Sequence, residues 1–142
     1  MAEDLAKLEE LAKELPQKIT KAAELALRIA SEDALSKISS QFKSEGRALG
    51  EGWAPLKESY LKQKIKKGYS EKILHRTTTL AQSFTYKLED FTSYIGTPVP
   101  YAIYHEYGTK KMPARPFMAP VAEYLKQAAL RKAFERAFSE VL

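Results

Sequence analysis

The chain has 142 residues, of which 44% are hydrophobic and 29% are charged, as is typical of one soluble globular domain. It contains no cysteine, which excludes disulfides, thiolate zinc sites and cysteine nucleophiles. No apolar run approaches the roughly 20 residues of a membrane-spanning helix, and the acidic start MAEDLAKLEE does not resemble a secretory signal. We therefore expect a single domain over residues 1–142, without a membrane segment, that works inside a cell or in an assembly built there.

The net charge of +5 is concentrated in one stretch of the chain. Residues 51–80 carry seven Lys or Arg and three Asp or Glu, whereas residues 1–50 carry eight and nine. The basic stretch 57–76 either contacts nucleic-acid phosphates or is a solvated segment near a turn at 67–69, and the second interpretation is favoured because no known nucleic-acid-binding module accompanies it. The residues that would face DNA are Lys62, Lys64, Lys66 and Lys67.

Residues 1–45 are predicted to be helical. Leucines recur at three- and four-residue intervals from Leu5 to Leu15, and Pro16 then predicts an interruption. A second helix is expected from about Gln17 to about Ser44, with a central stripe of alanines that lets another backbone approach closely.

Residues 46–120 are predicted to mix loops, a short helix and a hairpin. Glycines at 46, 50 and 52 end the helical part, Trp53 is expected to anchor the following loop, and residues 56–66 form a short basic helix. Apolar and polar residues alternate from Phe84 to Leu88, and residues 92–95 suit a partner strand after a turn at 89–90. Residues 101–107 form a short helix or turn, in which the three tyrosines are expected to pack rather than to stack on bases.

The last helix, about residues 118–142, carries two apolar stripes on nearly opposite faces. The first stripe ends at Ala129, and the second contains Leu130, Phe134 and Phe138. One straight helix cannot bury both stripes against a single surface. We therefore expect residues 130–142 either to contact a neighbouring subunit or to fold back after a break near Ala129.

Motifs for catalysis or cofactor binding are missing from the sequence. It has no dinucleotide fingerprint, no phosphate loop and no nucleophile elbow. The two histidines, His75 and His105, lack the spacing of metal ligands, and a structural role is favoured over an acid–base role for the His105-Glu106 pair. No catalytic residue, metal or cofactor is predicted.

Several short motifs in residues 46–120 occur in an order that resembles the phage virion morphogenesis family. They are Trp53-Ala54-Pro55-Leu56, Leu74-His75-Arg76-Thr77, Ile95-Gly96-Thr97, Tyr101-Ala102, His105-Glu106-Tyr107-Gly108 and Ala114-Arg115-Pro116-Phe117-Met118. The sequence departs from the family pattern at Thr78, where glycine is common, and in a short loop at 109–112.

The predicted elements together give an α+β fold with a helical N-terminal half, a small antiparallel sheet and a C-terminal helix packed on it. The resemblance implies a non-enzymatic structural protein of the virion tail or neck, assembled in the host cytoplasm as a homo-oligomeric ring that contacts other tail or neck proteins. DNA crosses such a ring during ejection, so a passing contact with the basic stretch is an alternative role for it. A nucleic-acid-binding protein, and then a small hydrolase centred on a histidine, are the rival functions.

The residues singled out fall into two groups. For Arg115 two interpretations remain open: a paired contact with a carboxylate of a neighbouring subunit, or a contact within the chain, for example with Glu106. The expected subunit or partner contacts are Lys110, Lys111, Arg115, Leu130, Phe134 and Phe138. The expected structural anchors are Trp53, His75, Arg76, Gly96, Tyr101, His105, Gly108, Pro116 and Phe117.

Overall fold

The computed structural model describes residues 2–69, 73 and 79–142. His75 and Arg76 lie outside the described residues. The elements are α1 (Ala2–Lys43), α2 (Glu58–Lys66), α3 (Thr79–Gln82), β1 (Thr85–Glu89), β2 (Thr92–Gly96), α4 (Ala102–Tyr107), α5 (Ala119–Tyr124), a π-helical segment (Leu125–Ala129) and α6 (Leu130–Val141). The fold is α+β, as predicted.

Helix α1 is the spine against which the other elements pack. The β1–β2 hairpin, α5 and α6 all contact it. Its C-terminal part supplies Ala34, Ile38 and Phe42 to the core, where they meet Trp53, Phe117 and Val121. The ring of Phe42 lies 5.4 Å from that of Trp53 and 5.2 Å from that of Phe117, so an aromatic cluster closes one end of the spine.

The predicted interruption at Pro16 is wrong, because α1 continues through it. Proline removes one backbone N–H donor from a helix. Here residues 2–17 are all exposed, so water can satisfy the carbonyl that is left without a partner. The segments on both sides are rich in Ala, Leu, Glu and Lys, which favour helix.

The hairpin confirms the alternating pattern of residues 84–88. Strands β1 and β2 pair antiparallel, with Tyr86 opposite Ile95. Its turn lies at Asp90 and Phe91, one residue later than predicted, and both have positive φ, which is the geometry of a two-residue turn that matches strand twist.

The last helix does not break near Ala129. The π-helical segment Leu125–Ala129 inserts an extra residue into the turn, which rotates the second apolar stripe towards the same spine as the first. Helix α6 then packs along α1, and the buried residues on the facing helices are alanines: Ala133 and Ala137 on α6, and Ala22, Ala26 and Ala30 on α1. Of the predicted stripe, Ala137 is buried, Phe134 and Phe138 are half-buried and Leu130 is 40% exposed. Contact of this partly open stripe with a neighbouring subunit stays a prediction.

Candidate interaction site

Trp53 attaches the loop after α1 (the tryptophan loop, residues 44–57) to the start of the last helix. Its indole N–H donates to the carbonyl oxygen of Pro116 at 2.8 Å, and its backbone N–H donates to that of Glu45 at 2.7 Å. Gly46, with φ of 88°, lies so close that a Cβ atom there would stand 2.5 Å from the indole ring. The turn therefore requires glycine in order to seat the tryptophan.

Arg115 is buried and binds backbone rather than a carboxylate. Its Nε donates to the carbonyl oxygen of Ala54 at 2.9 Å, and a terminal nitrogen donates to that of Pro55 at 3.1 Å. Of the two open interpretations, the contact within the chain is the one observed, but its acceptors are backbone carbonyl oxygens and not the Glu106 carboxylate. Because both acceptors lie within the chain, the guanidinium joins the tryptophan loop to the segment before α5, and burial lowers its pKa.

Glu106 instead caps the start of the last helix. One carboxylate oxygen accepts from the backbone N–H groups of Phe117 at 2.8 Å and Met118 at 3.1 Å, and the other accepts from that of Ala119 at 2.8 Å. These N–H groups have no hydrogen-bond partner within the helix, so the carboxylate satisfies them. Its negative charge also interacts favourably with the positive end of the helix dipole. No sequence signal revealed this role, because the acceptor lies 11 to 13 residues before its donors.

His105 lies between Arg115 and Tyr101. Its carbonyl oxygen accepts from the Arg115 backbone N–H at 2.7 Å, and its ring meets that of Tyr101 edge to face. Its Nδ1 is buried without a hydrogen-bond partner. Burial, and then the nearby Arg115 charge, lower the pKa of His105, so the neutral imidazole is favoured.

The loop after α4 is a tight turn. Thr109 and Met112 pair through their backbones, and the exposed Lys110 and Lys111 lie at the tip. Gly108 has φ of 77°, and a Cβ atom there would stand 2.7 Å from the backbone nitrogen of Ala114. Gly96, at the end of β2, has open space beside it, since a Cβ atom added there would meet nothing within 4 Å; its role as an anchor stays a prediction.

A cleft of about 730 Å³ lies between α2, the tryptophan loop and the 109–113 turn. Its walls are largely apolar, with Leu56, Leu80 and Met112 among the lining residues. Four cationic side chains also line it, namely Lys57, Lys64, Lys111 and Arg115, and no carboxylate does among the residues that the structure describes. The site therefore suits a ligand that is both apolar and acidic.

The four lysines predicted to face DNA do not act as one group. Lys64 is 3% exposed and lies over the Tyr60 ring at 5.9 Å. Lys62 approaches the Glu58 carboxylate at 3.3 Å, and Lys66 and Lys67 are exposed. Helix α2 therefore presents charge both to solvent and to the cleft.

Among the described residues, exposed apolar side chains are grouped on α4 and on the N-terminal arm (residues 2–17 of α1). On α4, the side chains of Ile103, Tyr104 and Tyr107 form an exposed face (the α4 face), with Tyr107 exposed to 78%. Of the three tyrosines expected to pack, Tyr101 meets the ring of His105, whereas Tyr104 and Tyr107 are left open on this face. On the N-terminal arm, Leu5 and Leu8 are each 63% exposed and Leu11 is 57% exposed. Single exposed leucines are common, but grouped ones indicate contact with a partner.

The described part of the chain contains no cluster of three His, Asp or Glu side chains that could hold a metal ion. None of its described helices has the length and apolar character needed to cross a membrane.

Comparison with known proteins extends the resemblance seen in the central motifs. The model of a family described as the phage virion morphogenesis family matches residues 3–136. The chain is also 37% identical, over 79 residues, to Mu-like prophage FluMu G protein 1 of Haemophilus influenzae. That match covers 54% of each protein, so the chain spans about half the length of this curated relative. No solved structure matches the chain significantly.

Proposed function

Because the chain belongs to the phage virion morphogenesis family, we propose that it is a structural component of the phage tail or neck that completes the tail for joining to the head. It acts as a homo-oligomeric ring that also contacts neighbouring tail or neck proteins. The family match covers α1 as well as the motif-bearing core, so the exposed arm belongs to the unit that carries the function.

The observation that carries the ring is the position of the apolar surfaces. The arm and the α4 face lie on separate parts of the molecule, and each exposes several large apolar side chains. Two separate contact surfaces let one chain bind another copy through one surface and a neighbouring tail or neck protein through the other, and head-to-tail contacts between copies generate a closed ring when the rotation between them closes.

Loss of the gene from its phage tests this function. We expect infected cells to accumulate filled heads and separate, unjoined tails, which electron microscopy of the lysate shows directly. Supplying the wild-type chain from a plasmid should restore joined particles. Normal particles and titre in the absence of the chain would contradict the proposal.

The α4 face gives a sharper version of that test. Tyr104→Ser with Tyr107→Ser should leave the fold intact, because both side chains are exposed, and should fail to restore joined particles. Tyr86→Phe is the matched control, since it alters a tyrosine whose hydroxyl donates to Glu32 on the hairpin side. If the double variant restores normal titre, the α4 face is not a partner contact.

Contact with DNA remains the alternative role, supported by the exposed Lys66 and Lys67. Binding through phosphates falls with salt in proportion to the number of contacts. Strong, salt-dependent binding of duplex DNA that Lys66→Ala with Lys67→Ala abolishes would favour it. No binding at physiological salt would favour the structural role without a DNA contact.

A further inference from the structure

We propose that the N-terminal arm of one copy binds in the basic cleft of the next copy and so forms the head-to-tail contact. The inference rests on the proposed ring, and it names the two surfaces that meet.

The arm has the form of a helix that binds in a groove. Leu5, Leu8, Leu11 and Leu15 recur at three- and four-residue intervals, and with Ala12 and Ile19 they cover an arc of about 120° on the helix wheel. Such an arc is wide enough to enter a groove with its apolar side chains inward. Within the chain this face has no cover, because all residues from 2 to 17 are exposed.

The charges of the two surfaces are complementary. Residues 2–17 contain five carboxylates and two lysines, a net charge of −3. The cleft is lined by the exposed Lys57 and Lys111 and, deeper, by the buried Lys64 and Arg115, with no carboxylate among its described residues. An acidic helix with a leucine face is therefore the kind of ligand that this apolar and basic cleft favours.

The size of the cleft also fits. Its volume of about 730 Å³ lies within the roughly 300–1,000 Å³ of sites that bury most of a drug-sized ligand. The cleft therefore has room for several leucine-sized side chains.

Distance shows that the arm must come from another copy. The cleft lies at the C-terminal end of α1, since Leu80 on its wall belongs to the same core cluster as Phe42. Leu8 and Phe42 are 34 residues apart on one continuous helix, which is about 51 Å at 1.5 Å per residue. While α1 remains continuous, a copy cannot place its own arm in its own cleft, so each contact adds a new copy.

Cross-linking tests the contact, and the lack of cysteine in the natural chain leaves only introduced thiols to react. Full-length Leu8→Cys and Lys57→Cys chains are mixed under conditions where sizing shows assembly, and a short bis-maleimide is added. We expect a cross-linked dimer that requires both variants. Glu10→Cys, on the opposite face of the same arm, is the matched control and should react several-fold less with Lys57→Cys.

Charge exchange provides a second, independent readout. Glu9→Lys with Glu14→Lys should weaken assembly measured by sedimentation, and so should Lys57→Glu with Lys111→Glu. Mixing the two variants should restore assembly, because each arm then meets a cleft of opposite charge.

The outcomes separate this contact from the ring itself. If the chain assembles but Leu8→Cys reacts only with itself, the arms pair with one another and the cleft contact is overturned. If the chain assembles and neither cross-link forms, the ring survives and the arm contact fails. If the full-length chain stays monomeric at every concentration and in the lysate, both proposals are contradicted.

Discussion

At the residue scale, the family-like motifs are joined by hydrogen bonds to backbone groups. Trp53 donates to a carbonyl oxygen of the segment before α5, Arg115 donates to two in the tryptophan loop, and Glu106 accepts from three N–H groups at the helix start. Side chains that bind backbone in this way fix the path of the chain, so the motifs support the cleft and the α4 face.

Arg115→Lys should destabilise the fold even though it keeps the positive charge. A lysine has a single ammonium group in place of the planar guanidinium whose two nitrogens reach both carbonyl oxygens. The loss of a hydrogen bond made by a charged group lowers the free energy of unfolding by about 1.5–3 kcal/mol. Urea unfolding measures the loss. The matched control is Lys110→Ala with Lys111→Ala, two exposed lysines of the adjacent turn, expected to change the free energy of unfolding by no more than about 0.5 kcal/mol per site. Equal changes in the free energy of unfolding for the two variants would show that the paired contact of the guanidinium is unimportant.

Gly108→Ala and Gly96→Ala should differ sharply. At Gly108 the positive φ and the approach to the Ala114 backbone nitrogen strain any side chain, at a cost of about 1–3 kcal/mol. At Gly96 the added methyl group meets nothing within 4 Å, so the change should stay within about 0.5 kcal/mol. Thermal unfolding of the two variants decides this, and similar midpoints would contradict the geometry.

His105 should make stability depend on pH. Its pKa in the folded chain is lowered, first by burial and then by the charge of Arg115. Below the ordinary histidine pKa of about 6.5, the unfolded chain therefore binds a proton more readily than the folded chain does. Stability contributed by the neutral imidazole is therefore present above that pH and is lost as the pH falls through it. Wild type should lose more stability than His105→Gln between pH 7.5 and 5.5 in urea unfolding; parallel curves would contradict this.

At the element scale, the periods of the sequence predicted the hairpin, the basic helix α2 and the helical first half. Those patterns are local, and the structure confirms them. The continuous helix through Pro16 and the π-helical segment were not predicted, because solvation of one carbonyl and packing of α6 on α1 decide them. The cap formed by Glu106 joins residues distant in sequence, so no local pattern reveals it.

Shortening the chain after Ala129 should therefore unfold or strongly destabilise it. Helix α6 buries Ala133 and Ala137 along α1, and its removal leaves the alanine stripe of α1 in water. Circular dichroism and thermal unfolding measure the effect. Deleting residues 2–17 instead is the matched control, and it should leave the midpoint almost unchanged because that segment is exposed. A stable chain that ends at Ala129 would show that α6 is not part of the domain's own core.

At the scale of the whole molecule, α1 separates two functions along one helix. Its C-terminal part builds the core and supports the cleft, whereas the arm extends as an exposed acidic and leucine-rich helix. A long continuous helix keeps these two ends about 50 Å apart. In the proposed ring, this separation lets each copy reach its neighbour while its own cleft stays open to the next arm.

The most direct measurement of the central claim is the number and position of this chain in purified virions. Quantitative mass spectrometry should find it in a fixed, small multiple per particle, and antibody-gold labelling should place it at one end of the tail or at the neck. Its absence from purified particles, or labelling spread evenly along the tail or over the head, would contradict a ring that completes the tail.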